Sequence, residues 1–283
     1  FETEDLSSLI ELNARNIEIT YKFSGFLQFF PFKNFLNKNI FSNTKERSKK
    51  NISLHYDLGN EFFSTWLDKT LTYSCGIFNS SKETLEKAQI NKYNKLINLI
   101  QPKPGDKILE IGCGWGGFAE HLAKNYDVKL DCITISKKQF LFSKARINHA
   151  KLNHKVNVRM LDYRDVNKKY DSIVSIEMIE AVGEKYLTHY FKTIKENLVS
   201  GGRGAIQAIV IKDELYDRYK TKEDFIQKYI FPGGFLPSLK FLNKLSIQSG
   251  LKIGDHKLYG HHYCSTLQEW KKSFINSWDS ISR

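Results

Sequence analysis

Apolar and polar positions alternate along this chain in blocks that change period. Leu6, Leu9, Ile10 and Ala14 recur at helical spacing, so Phe1–Ile19 is expected to hold a helix. Leu85, Ala88, Leu96, Ile97 and Ile100 give a second, stronger helix over Leu85–Ile100, closed before Pro102 and Pro104. Ile108, Leu109 and Ile111 form a short apolar run that suits a buried parallel strand. From there the blocks alternate. Helix Phe118–Lys124 precedes strand Val128–Ile135, and helix Lys137–Leu152 precedes strands Val156–Met160 and Asp171–Ile176. Helix Leu187–Leu198 is closed by Gly201 and Gly202, and strand Gly204–Ile211 follows. Helices are expected over Lys222–Tyr229, Phe241–Gly250 and Thr266–Trp278, with a Pro/Gly loop at Phe231–Pro237 and final strands near Leu251–Tyr259. Repeated β–α alternation predicts an α/β fold with a doubly wound, mostly parallel sheet and a helical N-terminal extension.

Two stretches lack a clean period. Tyr21–Phe41 interleaves Phe with Lys and Asn, which suits packing against a neighbouring domain or a membrane–water interface. Ser53–Phe78 is dense in aromatics with polar handles and reads as a lid or site wall. Asn43–Asn51, polar and basic, reads as a flexible linker, which divides the chain into 1–50, a remnant and linker, and 51–283, a catalytic domain. Phe1 is not an initiator Met, so the expectation is that more chain precedes it.

Composition narrows the class only a little. At 283 residues and 41% hydrophobic content the chain suits one large domain or a domain with an appendage. No apolar run approaches the roughly 20 residues that span a bilayer. Cys75, Cys113, Cys132 and Cys264 are scattered without metal-type spacing, which fits a reducing cytoplasm and gives no metal site. The net charge of +12 favours a polyanionic partner, nucleic acid or an anionic membrane surface, unless the lysines are merely solvated.

The chemistry concentrates at Lys107–Gly117. Gly112, Gly114, Gly116 and Gly117 follow the buried strand at once and end on a helix N-terminus, the nucleotide-binding corner of an open α/β sheet. The spacing of Gly112, Gly114 and Gly117 formally matches a dinucleotide fingerprint. Glu110, at the strand's carboxyl end, would repel a pyrophosphate but suits the cationic amino-acid end of S-adenosylmethionine. The run E-I-G-C-G-W-G-G resembles the first motif of class I methyltransferases, which implies a Rossmann-like sheet.

Together with His55–Phe63 (H-Y-D-L-G-N-E-F-F), L-T-Y-S-C at Leu71–Cys75, S-I-E-M-I-E-A-V-G-E at Ser175–Glu184 and Y-I-F-P-G-G-F-L-P at Tyr229–Pro237, that run resembles the cyclopropane-fatty-acyl-phospholipid synthase family, which includes the mycolic acid cyclopropane synthases. The resemblance covers Ser53 to Trp278. It implies transfer of the cofactor's methyl carbon to the cis double bond of an unsaturated phospholipid acyl chain. A carbocation results, and a bound bicarbonate removes the proton that lets the ring close.

Residue by residue, the resemblance implies that Cys75, Glu180 and Tyr263 hold the bicarbonate. Gln207 stands where the familiar synthases have His; it can donate to an anion but cannot shuttle a proton. Ile209 keeps the apolar neighbour. Glu177 stands where a neutral residue is common, so Glu177 and Gln207 are expected to pair, which leaves the final product open. For the cofactor, Tyr73, Ser74, Gly112 and Gly114 match the methionine end, Thr134 and Gln139 the ribose, and Asp162, Tyr163 and Arg164 the adenine side. His55 is an even choice for lid or headgroup contact, and His261 and His262 are expected at the surface. Outside the motifs, Cys75, Glu180 and Tyr263 would read as an ordinary buried cysteine, a turn cap and a core tyrosine.

The resemblance further implies an enzyme docked peripherally on the anionic inner face of the cytoplasmic membrane, with no nucleic acid as partner. A homodimer, and a reductase partner for a saturated methyl branch, stay open. Two other classes compete. A methyltransferase acting on a soluble small molecule would need no lipid vesicle, and a basic nucleic-acid-binding module would cluster its Lys and Arg with exposed aromatics. Here the basic residues are dispersed.

Overall fold

The computed structural model describes residues 5–16, 43–56, 58–221 and 224–282. The chain divides into two units, 1–41 and 42–283. In the first, α1 (Leu6–Arg15) is capped by Asp5, whose carboxylate accepts from the Ser8 N–H. Tyr21–Phe41, with its interleaved Phe residues, lies outside the described residues.

The second unit begins earlier than the sequence pattern suggests. Asn43–Asn51 is no flexible linker: α2 (Lys45–Tyr56) occupies most of it, and Asn43 is buried. The reason is hydrogen bonding that composition does not reveal. Asn43 Nδ2 donates to the Ala181 and Gly233 carbonyls at 3.0 and 2.9 Å, and its Oδ1 accepts from Asn51 Nδ2 at 3.1 Å. Next come α3 (Gly59–Trp66), inside the stretch without a clean period, and α4 (Leu85–Ile100), which has the predicted bounds and a Thr84 cap.

The sheet is β1 (Lys107–Ile111), β2 (Lys129–Thr134), β3 (Val156–Met160), β4 (Tyr170–Ile176) and β5 (Leu198–Gln207), in the order β3-β2-β1-β4-β5 and parallel throughout. Order reverses at β1, so the crevice beyond its carboxyl end is where such sheets bind ligands. Helices α5 (Gly117–Asn125), α6 (Lys137–His149) and α7 (Leu187–Asn197) make the crossovers. One core layer joins Tyr93, Leu96 and Ile97 of α4 to Phe118 and Leu122 of α5; another joins Ile173 of β4 to Tyr190, Phe191 and Ile194 of α7.

Beyond β5 the pattern is less faithful. A short α8 (Asp213–Tyr219) was not anticipated, and β5 ends at Gln207 rather than Ile211. In place of the helix expected over Lys222–Tyr229 the described residues form a π-helical turn, Ile226–Ile230. Then come α9 (Leu239–Gln248), α10 (Gly260–Asn276) and α11 (Trp278–Ile281). The strands expected near Leu251–Tyr259 are absent: the segment carries Lys252, Asp255, His256 and Lys257 and is mostly exposed, with Leu251 packed against the core. A third, aromatic cluster places Phe63 and Trp66 of α3 with Tyr73, Trp115 and Trp270 of α10. Within it Trp66 and Trp270 meet edge to face at 5.6 Å.

Candidate active site

A cavity of 590 Å³ opens at the carboxyl ends of β1, β2 and β4. It reaches from Glu110, Gly112 and Gly114 to Glu177, Glu180 and Tyr263. The glycine loop earns its composition at two positions. Gly114, at φ +51, has open space where a Cβ would sit, so a side chain there would fill the crevice. At Gly117 a Cβ would lie 2.6 Å from the Thr70 carbonyl and the Tyr93 hydroxyl, so this glycine serves close packing. Arg146 Nη1 pins the loop by donating to the Thr70 and Trp115 carbonyls at 2.6 and 3.1 Å.

Glu110 is 3% exposed, and β1–β2 register sets it beside Cys132, whose thiol donates to Oε2 at 3.5 Å. Burial pushes its carboxyl up to about 8, the state of an acid in want of a cationic partner. An ammonium group would supply that partner. The Thr134 hydroxyl donates to Gln139 Oε1 at 2.8 Å, and both line the cavity.

Asp162, Tyr163 and Arg164 also line the cavity, but much of their chemistry is turned inward. Arg164 Nη2 and Nε donate to Asp162 at 2.6 and 2.8 Å, and Nη1 donates to the Asn43 carbonyl at 3.0 Å. Arg164 therefore fastens the start of the second unit. Tyr163 packs edge to face on Tyr190 at 5.4 Å and is buried, so its ring belongs largely to the core.

The opposite end of the cavity is built around Glu177. β4 ends at Ile176, in register with Gln207 of β5, and the next residue turns with φ +44, a left-handed conformation that costs about 1–3 kcal/mol outside glycine. Its side chain receives three donors: the Cys75 N–H at 2.9 Å and Gln207 Nε2 at 2.8 Å on Oε1, and the Tyr263 hydroxyl at 3.2 Å on Oε2. Gln207 also donates to the Cys75 carbonyl at 3.1 Å. The expected Glu177–Gln207 pair is thus present, within a larger cradle. Cys75, Gln207 and Tyr263 are brought together by a protein carboxylate.

Glu180 stands apart from that cradle. Its Oε1 accepts from the Ile209 N–H, and Oε2, buried, has no partner among the described residues. Burial, then the charge of Glu177, pushes its carboxyl up to about 8. Burial also raises Glu177, against the opposing charge of Lys92 and its three donors. Burial pushes both carboxyls up, and with one donor against three Glu180 holds its proton more readily than Glu177.

Sequence reasoning missed Lys92. It is fully buried, with Nζ donating to the Ser74 hydroxyl at 2.5 Å, and burial lowers it to about 8. The signal was present in α4: position 92 falls four residues before Leu96 on the apolar face. Ser74 is buried, its carbonyl accepting from Gln89 Nε2 at 2.8 Å. Tyr73 stacks on Phe231 at 6.3 Å, and burial raises its phenol to about 12. The Cys75 thiol is raised to about 11, first by burial and then by Glu177, so it stays protonated and gives the cradle its backbone. His262 is half-buried rather than at the surface, its Nδ1 accepting from the Phe78 N–H at 3.3 Å. The His55 side chain lies outside what the structure describes.

A parallel sheet that switches direction at β1, with the glycine loop and an acid at that strand's end, is the Rossmann-like fold of class I S-adenosylmethionine-dependent methyltransferases. The cyclopropane synthase MmaA2 from Mycobacterium tuberculosis superposes with a TM-score of 0.77 at 26% identity, over 82% of this chain and 85% of that one. The profile of the family described as "Mycolic acid cyclopropane synthetase" matches residues 43–283, and the chain belongs to that family. The Cyclopropane-fatty-acyl-phospholipid synthase of Escherichia coli (strain K12) is 37% identical over 81% of this chain and 57% of its own length. The Tuberculostearic acid methyltransferase UfaA1 of Mycobacterium tuberculosis (strain ATCC 25618 / H37Rv) is 35% identical over 84% and 58%. The chain therefore spans under two thirds of the length of these curated relatives.

Proposed function

We propose that this chain transfers the methyl carbon of S-adenosylmethionine to the cis double bond of an unsaturated phospholipid acyl chain. The observation that carries the proposal is one cavity with a cofactor corner at one end, a polar cradle at the other, and apolar walls between. Ile226, Ile230 and Phe231 line it toward the outside, continuous with exposed Phe225 and Tyr229. A phospholipid in an anionic membrane suits that mouth on a chain of charge +12. Family membership supports the same substrate class. The site fits the cofactor: Glu110 suits its ammonium, Gly114 leaves room for its close approach to the loop, and Thr134 and Gln139 suit its ribose.

When bound, the cofactor supplies an electrophilic sulfonium methyl. The chain's residues orient it, and the apolar wall excludes water that would quench a carbocation. A base at the cradle end takes a proton from the added carbon. The resemblance names bicarbonate as that base, and a bicarbonate there would compete with Glu177 for the Cys75, Gln207 and Tyr263 donors. The test is incubation with methyl-labelled S-adenosylmethionine and vesicles of unsaturated or saturated phospholipid. Label should enter only the unsaturated lipid; label in neither, with cofactor binding intact, would move the activity to a soluble acceptor.

A further inference from the structure

We propose that Glu177 is itself the base of this active site, a carboxylate built into the chain where an exogenous anion would otherwise sit. The inference rests on the acyl-methylation proposal and specifies the destination of its proton. Three observations on different elements carry it. The backbone N–H of Cys75, the amide of Gln207 and the hydroxyl of Tyr263 converge on one carboxylate, at 2.9, 2.8 and 3.2 Å. This is the donor set an oxyanion requires, and it is already engaged. The residue holding it adopts φ +44, a conformation foreign to Glu that persists only because its surroundings fix it. Gln207, on the paired strand, cannot accept a proton and leaves the work of a base to its neighbour. Its own amide is committed to Glu177 and to the Cys75 carbonyl.

The carboxylate also lines the cavity shared with Glu110 and the glycine loop. Of its two oxygens, Oε1 takes two donors and Oε2 only the Tyr263 hydroxyl, so Oε2 is the less committed acceptor. The step balances without a co-reactant. The alkene π pair bonds to the methyl carbon as the carbon–sulfur bond breaks and S-adenosylhomocysteine leaves, which places a cation on the second alkene carbon. A C–H bond of the added methyl then breaks. Its proton goes to Oε2 of Glu177, and its electron pair closes the ring, or forms a double bond if a 1,2-hydride shift has first moved the cation onto the carbon that bears the added methyl. Buried Lys92 lies behind Ser74 and supports the negative charge while Glu177 is ionised.

The test combines binding and turnover. Binding of [13C]bicarbonate is followed by 13C NMR on the full chain with S-adenosylhomocysteine and no lipid. Wild type should leave the resonance sharp. E177G, which empties the cradle and suits the left-handed backbone, should broaden it. In turnover, wild type should be equally active in CO2-free and bicarbonate-supplemented buffer. E177G should lose at least roughly 100-fold in CO2-free buffer and recover with added bicarbonate or formate. E177Q should lose as much and recover with neither, because its amide still fills the cradle. A thermal shift by S-adenosylhomocysteine confirms that both variants fold. Bicarbonate bound by wild type, or E177G fully active without CO2, would overturn the inference. If wild type labels no lipid, acyl methylation fails instead, and wild-type bicarbonate binding would still overturn the assignment of Glu177 on its own.

Discussion

Three buried acids share one cavity and differ in their partners. Glu110 has a thiol, Glu180 one backbone N–H and Glu177 three donors with Lys92 nearby. Glu110, held up to about 8 by burial, is mostly protonated at pH 7 in the free protein. An ammonium beside it lowers that value, so cofactor binding at pH 7 should release a proton and tighten as pH rises from 6 to 8. Calorimetry in buffers of different ionisation enthalpy should detect the release. Glu110→Gln should abolish it and weaken binding by about 1.5–3 kcal/mol. Glu180→Gln should make turnover collapse, by about 100-fold or more, while cofactor affinity stays near wild type. Unchanged turnover would remove Glu180 from the site.

At the scale of elements, the sheet edges and the segments around them differ in how well they can be read. β1 and the glycine loop were legible because one short apolar run and one composition rule suffice. The Glu177 cradle was legible only as a suspicion that Glu177 and Gln207 pair, since the Cys75 and Tyr263 donors arrive from distant segments. Asn43 was misread because a buried amide with three hydrogen bonds looks, in sequence, like any polar linker residue. Asn43→Ala removes the bonds to Ala181 and Gly233 and should cost about 2 kcal/mol, a fall of roughly 4–8 °C in Tm for a domain of this size by calorimetry. The π-helical turn Ile226–Ile230 leaves Phe225 66% and Tyr229 61% exposed at the cavity mouth. Replacing both by Ser should reduce co-sedimentation with anionic vesicles and turnover on them, with S-adenosylhomocysteine binding unchanged.

For the whole molecule, the second unit joins a nucleoside-binding sheet to an apolar cavity that ends on a carboxylate cradle. Among the described residues no helix is long and apolar enough to cross a membrane. The fold was readable from period and glycine spacing alone, whereas the proposed substrate class needed the family motifs, because an apolar cavity is assembled from residues that in sequence look like core. The most direct test of the central claim uses S-adenosylmethionine carrying a CD3 methyl group and vesicles of monounsaturated phospholipid, read by high-resolution mass spectrometry of the extracted lipid. A net gain of CD2 on the monounsaturated chains, with one deuterium lost, is the predicted result: methyl transfer followed by proton removal from the added carbon. Retention of all three deuteriums in the lipid, or label in no lipid while the cofactor still binds, would contradict it.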